Sequence, residues 1–408
     1  MSASSEVVIA PAIDDRLARR NARVLAVAQA LAGANNTVMV ATGGIVGAML
    51  APDKAYATLP VTIFVIGMWQ GALPMGFLAR RFGRRTAFQI GTIAGVLTGI
   101  ICCMAVLWSS FLLFNIGAFF SGLYAAGHVA YRFAAADTAS DAFKPKAISW
   151  VLIGGIAAGV LGPQLLIATK DLLPTYLFAA SYIAQAGVAI IAAGVLTLVK
   201  IPRPAPANSH NRGRPLGDIA RQPRFITAVI CGVASYAMMN MVMTSAPLAM
   251  VMCNHSVTDA TLGLQWHVIG MYAPSFFTGS LIVRFGVERV VATGLALIAV
   301  SAAIGIHGIS IAHFWTALVI LGIGWNFAFI GATTMVTQCH RPEERNKVQS
   351  LNDFLVFGSM AVGSFASGSV LARFGWATVN EIVFPVVLTA AALLLWLSFR
   401  PKHQSAGI

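Results

Sequence analysis

The chain has 408 residues, of which 58% are hydrophobic and only 10% are charged, and its mean hydropathy is +0.78. Soluble domains carry roughly 25% charged residues, so this composition excludes a soluble globular protein and predicts a membrane protein with many spans. The net charge of +13 does not indicate nucleic-acid binding, because the basic residues follow the topology of the predicted spans.

Apolar stretches of about 20 residues recur along the chain, and each is long enough to cross a ~30 Å hydrocarbon core as a helix. Residues 1–22 are too polar for the apolar region of a signal peptide, so we expect the first span to be retained. The sequence predicts twelve spans, at 24–50, 59–79, 87–107, 111–134, 147–168, 176–199, 225–251, 261–283, 290–309, 312–337, 349–372 and 379–399.

The basic residues orient these spans. If the N-terminus lies in the cytoplasm, the outer loops contain only Lys54, Lys170 and Arg373 of the 27 Lys and Arg residues. This distribution follows the positive-inside rule and predicts cytoplasmic N- and C-termini. The five cysteines show no paired framework, so no structural disulfide is expected.

The hydrophobic pattern is interrupted once, at residues 200–223, where proline and basic residues predict a cytosolic linker. We therefore expect an N-terminal six-helix bundle over 1–199 and a C-terminal six-helix bundle over 224–408. The loop 76–85 after the second span is echoed at 279–289 after the eighth, with a glycine and an Arg-Phe-Gly in register at an offset of 203 residues. Such a repeat is typical of transporters whose two bundles move about a central site.

The loop 76–85 resembles the Gly-x-x-x-Asp-Arg-x-Gly-Arg-Arg motif of the major facilitator superfamily. The resemblance extends over the whole chain and implies an all-α membrane protein with twelve transmembrane helices in two six-helix bundles, the major facilitator fold. One position departs from the motif, because Arg80 stands where the superfamily usually has the Asp that holds the outward-facing state. The resemblance implies a gating role for Gly76, Arg80, Arg81, Gly83, Arg84 and Arg85.

Polar side chains inside the predicted spans are costly in lipid and usually face a cavity or a partner helix. Each one fits a helix-to-helix hydrogen bond as well as a substrate contact. Their distribution suits the helices that line the central cavity in this superfamily, whereas the lack of a mid-membrane acid in the N-terminal half disfavours a drug/proton antiporter. The candidates are Asn35, Asn36, Gln70, His128, Trp325, Asn326 and Asp353.

Two residue pairs occur in consecutive spans, Met239 with Met243 and His267 with Met271. A spacing of four places both members of a pair on one helix face, about 6 Å apart. Antiparallel neighbours bring the two pairs to overlapping depths, and thioether with imidazole suits a soft cation such as Cu(I). The alternative is that the methionines fill gaps between apolar helices.

These pairs resemble those of the bacterial copper importers of this superfamily, and Cys231, Cys253 and Met250 are accessory candidates. The resemblance implies a secondary importer that moves copper across the bacterial inner membrane by alternating access and supplies haem–copper oxidase assembly. Copper is then the transported substrate, with the four paired residues as ligands. We expect no tightly bound cofactor, a monomer in the lipid bilayer, and copper chaperones of the periplasm or cytosol as candidate partners.

Riboflavin importers belong to the same branch, and riboflavin import is the leading alternative. Trp69, Gln70, Trp325 and Asn326 can supply aromatic and amide contacts for an isoalloxazine ring. A drug/proton antiporter is the third interpretation. The sequence contains no phosphate-binding glycine loop, nucleophile elbow or zinc-protease helix, so we do not expect an enzyme.

Overall fold

The structure, a computed structural model, describes residues 15–140, 143–201, 213–341 and 344–399. Over these ranges the chain forms helices joined by short connections, and no strand occurs. The helices are α1 Arg16–Leu50, α2 Leu59–Phe82, α3 Arg84–Leu107, α4 Phe111–Val129, α5 Tyr131–Ala136, α6 Lys144–Thr169, α7 Ala179–Leu196, α8 Leu216–Ala220, α9 Pro223–Met252, α10 Val257–Tyr272, α11 Ser275–Phe285, α12 Val287–His307, α13 Ile311–Thr337, α14 Arg345–Glu381 and α15 Val383–Ser398.

The predicted all-α membrane fold is confirmed. Within the described ranges, ten helices are long and apolar enough to cross a membrane, and α10 with α11, bent by 42°, makes an eleventh. The last of the ten is the 52-residue run Lys347–Ser398, which is broken at Gly375 (φ 83°, ψ −179°). At 1.5 Å per residue this run measures about 78 Å, enough for the last two predicted spans, although the count of twelve stays a prediction.

Helix packing divides the molecule into two groups, α1 to α7 and α9 to α15. In the first group α1 packs on α6 and α2 on α4, and in the second α9 packs on α14 and α12 on α13. The groups meet where α1 faces α9, α2 faces α14 and α6 faces α10. The bundle boundaries stay predictions, because residues 202–212 of the linker lie outside the described residues.

The two copies of the repeated loop have the same backbone conformation. Gly83, between α2 and α3, has φ 89° and ψ 159°, and Gly286, between α11 and α12, has φ 88° and ψ 149°. An L side chain rarely adopts this positive φ, so both copies require glycine. The repeat seen in the sequence is therefore also a repeat of backbone geometry.

The two groups of helices close against each other at one end of the molecule, where α1 ends and α2 begins. We call it the α1–α2 end. There Thr58 Oγ1 donates a hydrogen bond to the carbonyl oxygen of Ser364 at 3.1 Å, which joins the start of α2 to α14. Between α6 and α10, Gln164 Nε2 donates to Gln265 Oε1 at 3.0 Å. The predicted topology places this end at the outer face of the membrane.

At the opposite end, Arg214 is bound to Glu344, the residue before α14. The Glu344 carboxylate accepts hydrogen bonds from the backbone N, Nε and Nη2 of Arg214, each at 2.8 Å, and from the backbone N of Arg341 at 2.9 Å. Glu344 is fully buried, while the Arg214 side chain is 37% exposed. Hydrogen bonding to the Arg214 guanidinium holds the pKa of the Glu344 carboxyl well below its usual range. The contact fastens the end of the linker to α14.

We expect Glu344→Gln to lower the free energy of unfolding by about 1–3 kcal/mol at neutral pH, because an amide leaves part of this donor set without an acceptor. Because Arg214 is partly exposed to solvent, which weakens the interaction, we expect a loss near the lower end of this range. Since the Glu344 pKa is lower in the folded protein, its contribution is present above the unfolded pKa of about 4.3 and is lost as the pH falls below it. Thermal unfolding in detergent at neutral pH and at about pH 3 measures both effects.

The matched control for this substitution is Asp171→Asn. Asp171 pairs with the neighbouring Lys170 and its side chain is 63% exposed, and such surface pairs contribute at most about 1 kcal/mol. Equal unfolding temperatures for Glu344→Gln and the unsubstituted protein at neutral pH would contradict the stabilising role of the Arg214–Glu344 contact.

Candidate functional site

A cavity lies between the two groups of helices. Its wall contains residues from α1, α2, α4 and α6 of the first group and from α9, α10 and α14 of the second. The cavity volume of about 110 Å³ is several times the ~10–15 Å³ that one water molecule needs, so there is room for more than a single ion. The lining residues are Gln29, Gly33, Asn36, Thr37, Val40, Val61, Phe64, Met68, His128, Gly155, Ala158, Tyr236, Met239, Asn240, Met243, Leu264, Val268, Met271, Tyr272 and Met360.

The wall is built from single helix faces. On α9 the lining residues are Tyr236, Met239, Asn240 and Met243, the spacing of one side of a helix. Met271 lines the cavity from α10. Three of the four residues predicted as copper ligands are therefore in the wall.

His267, the fourth predicted ligand, is not in the wall. Its ring is fully buried, and Nδ1 donates a hydrogen bond to the carbonyl oxygen of Leu318 on α13 at 2.6 Å. The cavity side of α10 is centred near Val268, and adjacent helical residues point about 100° apart. His267 consequently turns toward α13. In the described part of the chain, no group of three or more His, Cys, Asp or Glu residues could hold a metal ion.

The accessory sulfur residues also lie away from the cavity wall. Cys231 is buried with its Sγ 3.8 Å from the carbonyl oxygen of Ala390 on α15. Met250 is fully buried, and Cys253 is partly buried at the end of α9. All three therefore contribute to the packing between helices and not to the cavity wall.

Two of the predicted polar residues join helices to one another. Asn35 Nδ2 donates to the carbonyl oxygen of Gln185 at 3.2 Å, and Gln185 Nε2 donates to the carbonyl oxygen of Asn35 at 3.0 Å, which links α1 to α7. Asn326 is fully buried beside the break between α10 and α11. Its Nδ2 donates to the carbonyl oxygen of Met271 and its Oδ1 accepts from Thr278 Oγ1, both at 2.6 Å.

The two tryptophans considered for a flavin ring pack on other aromatic rings. Trp325 stacks on Phe329 with ring centroids 5.2 Å apart, and the Tyr236 ring meets the Trp325 ring edge-on at 5.2 Å. Trp69 of α2 contacts Phe354 of α14, also at 5.2 Å. Both tryptophans lie outside the cavity wall, whereas Tyr236 lies in it.

The remaining predicted polar residues divide between wall and surface. Asn36 and His128 line the cavity, whereas Gln70 and Asp353 are exposed. The prediction omitted Gln29 and the lining residues Tyr236, Asn240 and Tyr272. Gln29 could have been predicted from the sequence, because it precedes Asn36 by seven residues and therefore lies on the same face of α1.

The loop predicted to gate the transporter carries an ion pair to another helix. Arg84 Nε lies 2.9 Å from Asp137 Oδ2 at the end of α5, and the guanidinium of Arg81 lies 5.6 Å from the centre of the Phe82 ring. Arg85 is exposed, and Gly76 has open space where a side chain would stand. The Arg80 side chain lies outside the described residues. Asp137 therefore supplies an acid to the loop that lacks the usual Asp.

Comparison with known proteins identifies the family. Residues 25–266 and 228–408 match the Major Facilitator Superfamily. This chain belongs to the major facilitator superfamily. It is a multi-pass membrane transporter and not an enzyme. It is 49% identical to "Riboflavin transporter RfnT" of Brucella anthropi over 395 residues. The matched region covers 96% of this chain and 99% of that relative.

Solved structures agree with the superfamily fold. The nucleoside transporter NupG superposes with a TM-score of 0.72 at 14% identity, over 93% of this chain and 100% of NupG. A bacterial homologue of the human lysosomal transporter Spinster, inward-facing and unoccupied, superposes with a TM-score of 0.69 at 15% identity, over 94% of this chain and 97% of that chain. At these identities the likeness shows the fold alone.

The prediction of copper import is wrong. The relative that matches nearly the whole chain at 49% identity is named a riboflavin transporter. The physical basis of the copper prediction is also weak in the structure, because His267 faces α13 while the methionines face the cavity. Copper as substrate, the metal-binding role and copper-chaperone partners depended on that prediction. The expected monomer, the lack of a bound cofactor and the orientation of the termini stay predictions.

Proposed function

We propose that this chain transports riboflavin, and does so inward across a bacterial inner membrane. The 49% identity with RfnT over nearly the full length of both chains carries the proposal. The matched length covers 96% of this chain, so it includes the helices that build the cavity.

The composition of the cavity supports this substrate. Riboflavin combines a flat tricyclic ring with a chain of hydroxyl groups, so it needs aromatic surface and a few fixed polar groups. Tyr236, Tyr272 and Phe64 provide aromatic rings in the wall, and Asn36 and Asn240 provide amides. A mainly apolar pocket with a small number of placed polar groups is the usual form of a small-molecule site.

Growth of a riboflavin auxotroph on limiting vitamin, together with uptake of labelled riboflavin, tests the proposal. We expect the chain to restore growth and Tyr272→Ala to weaken uptake affinity about tenfold, because stacking on a flat heterocycle contributes about 1–3 kcal/mol. Tyr272→Phe, which keeps the ring, should retain most of the affinity. Tyr176→Ala makes the same change at an exposed tyrosine outside the cavity wall and serves as the control. No riboflavin uptake by protein present at normal level in the membrane would overturn the proposal.

A further inference from the structure

Two polar side chains in the cavity wall bond to each other, but each keeps one polar atom without a hydrogen-bond partner. Gln29 on α1 and His128 on α4 meet with Gln29 Nε2 and His128 Nδ1 3.3 Å apart, and both residues line the cavity. His128 is only 6% exposed. The other polar atoms of the pair, Gln29 Oε1 and His128 Nε2, are buried and have no hydrogen-bond partner among the described residues.

The hydrogen bond inside the pair determines what these two atoms offer. When the Gln29 amide donates to His128 Nδ1, a neutral imidazole carries its proton on Nε2, which leaves one N–H donor beside the Oε1 acceptor. Turning the amide over exchanges the two roles. In either orientation the pair presents one donor and one acceptor, and each buried group without a partner costs about 1–3 kcal/mol. A ligand with the matching pair of groups removes that cost.

The surroundings of the pair favour a flat ring. A Cβ at Gly154 would lie 3.0 Å from the Gln29 Cβ, so α6 passes directly beside Gln29 with no side chain between them. The next residue, Gly155, faces the ring of Tyr272, which a Cβ there would meet at 3.6 Å. The wall of one cavity therefore contains both the polar pair and an aromatic ring, which suit the edge and the face of a flat heterocycle.

We propose that Gln29 and His128 together bind the imide edge of the flavin ring, the N3–H and an adjacent carbonyl, with one hydrogen bond to each. This inference rests on the proposed riboflavin transport. An imide holds its N–H and its carbonyl side by side in one rigid plane, as a fixed donor and acceptor require. The hydroxyl chain of riboflavin would have to be immobilised to present the same pair, at a cost in conformational entropy.

Competition for uptake of labelled riboflavin tests this contact, with unlabelled riboflavin and N3-methylriboflavin as competitors. Methylation removes the imide N–H, so we expect the methylated compound to inhibit at least tenfold more weakly. In Gln29→Met, which keeps the length of the side chain without its polar atoms, we expect riboflavin to bind about tenfold more weakly and the ratio of the two inhibition constants to fall toward one. Gln338→Met makes the same substitution at an exposed position at the end of α13, outside the cavity wall, and should leave the ratio unchanged.

The outcomes separate the two proposals. Riboflavin uptake that both compounds inhibit equally in the unsubstituted protein overturns the imide contact and leaves the proposed function standing. An undiminished ratio in Gln29→Met overturns the assignment to this pair. No riboflavin uptake at all overturns both proposals. If Gln29→Met does not reach the membrane, His128→Leu provides the same ratio test from α4.

Discussion

Replacing Gly368 with valine is expected to abolish substrate uptake while leaving the protein in the membrane at its normal level. Gly368 lies on α14 at the α1–α2 end, where the two groups of helices touch. A Cβ at this position would lie 2.3 Å from Thr58 Oγ1 and 3.1 Å from both Thr58 Cβ and Cγ2. Because all three side-chain atoms of Thr58 are crowded at once, rotation of Thr58 gives no relief, and α2 must move away from α14.

The expected loss is functional because this contact joins the two groups of helices. Thr58 also donates its hydrogen bond to Ser364 on α14. A larger side chain at residue 368 therefore separates α2 from α14 and keeps this end of the cavity from closing. Transport by alternating access requires that each end can close in turn. We therefore expect riboflavin uptake to fall by at least tenfold, measured against the amount of protein in the membrane.

Gly358 provides the control on the same helix. It has open space within 4 Å of its missing Cβ, so Gly358→Val makes the same change in α14 without a wedge. We expect this variant to transport normally. Normal uptake by Gly368→Val would show that closure does not depend on the contact between Thr58 and α14.

Replacing Gly122 with valine is expected to prevent folding. Gly122 lies where α4 crosses α2, and a Cβ there would lie 2.1 Å from the carbonyl oxygen of Phe64, 2.6 Å from the backbone N of Met68 and 2.8 Å from the carbonyl carbon of Gly67. All three atoms belong to the backbone of α2, so no side chain can rotate away. Small residues allow this close approach of membrane helices, and separating them by more than about 1 Å loses the packing of both.

The amount of monodisperse protein extracted in mild detergent measures this effect. We expect Gly122→Val to be nearly absent, which corresponds to a destabilisation above about 4 kcal/mol. Gly187→Val on α7 is the control, since a Cβ at Gly187 meets nothing within 4 Å. Recovery of Gly122→Val in the same yield as Gly187→Val would mean that α2 and α4 pack less closely than the structure indicates.

The class of protein and the positions of its helices could be predicted from the sequence. Every predicted span lies in a described helix or across two consecutive ones, or extends past the helix ends by at most three residues, because the length of an apolar stretch is read directly along the chain. The repeat at an offset of 203 residues also held in three dimensions, since Gly83 and Gly286 have the same positive φ. Such features depend on residues close together in sequence.

The sequence did not determine which residues line the cavity, because that depends on which side of each helix faces inward. Helical spacing correctly placed Met239 and Met243 on one face, but that face is equally suited to metal binding and to packing. On α1, Asn36 lines the cavity while the adjacent Asn35 bonds to Gln185 on α7. Neighbouring residues of a helix differ by about 100° in direction, so the choice between them is made by the helices that pack around α1.

The sequence alone therefore determined that this protein is a twofold repeated helical transporter, through composition, span length and charge distribution. Only the tertiary structure decided that Gln29 and His128 meet across 99 residues of chain, that His267 turns toward α13, and that Tyr272 packs on Gly155 in the wall of the same cavity. The physical reason is that a helical period specifies which residues share a face, whereas the direction of that face is set by packing against helices distant in sequence.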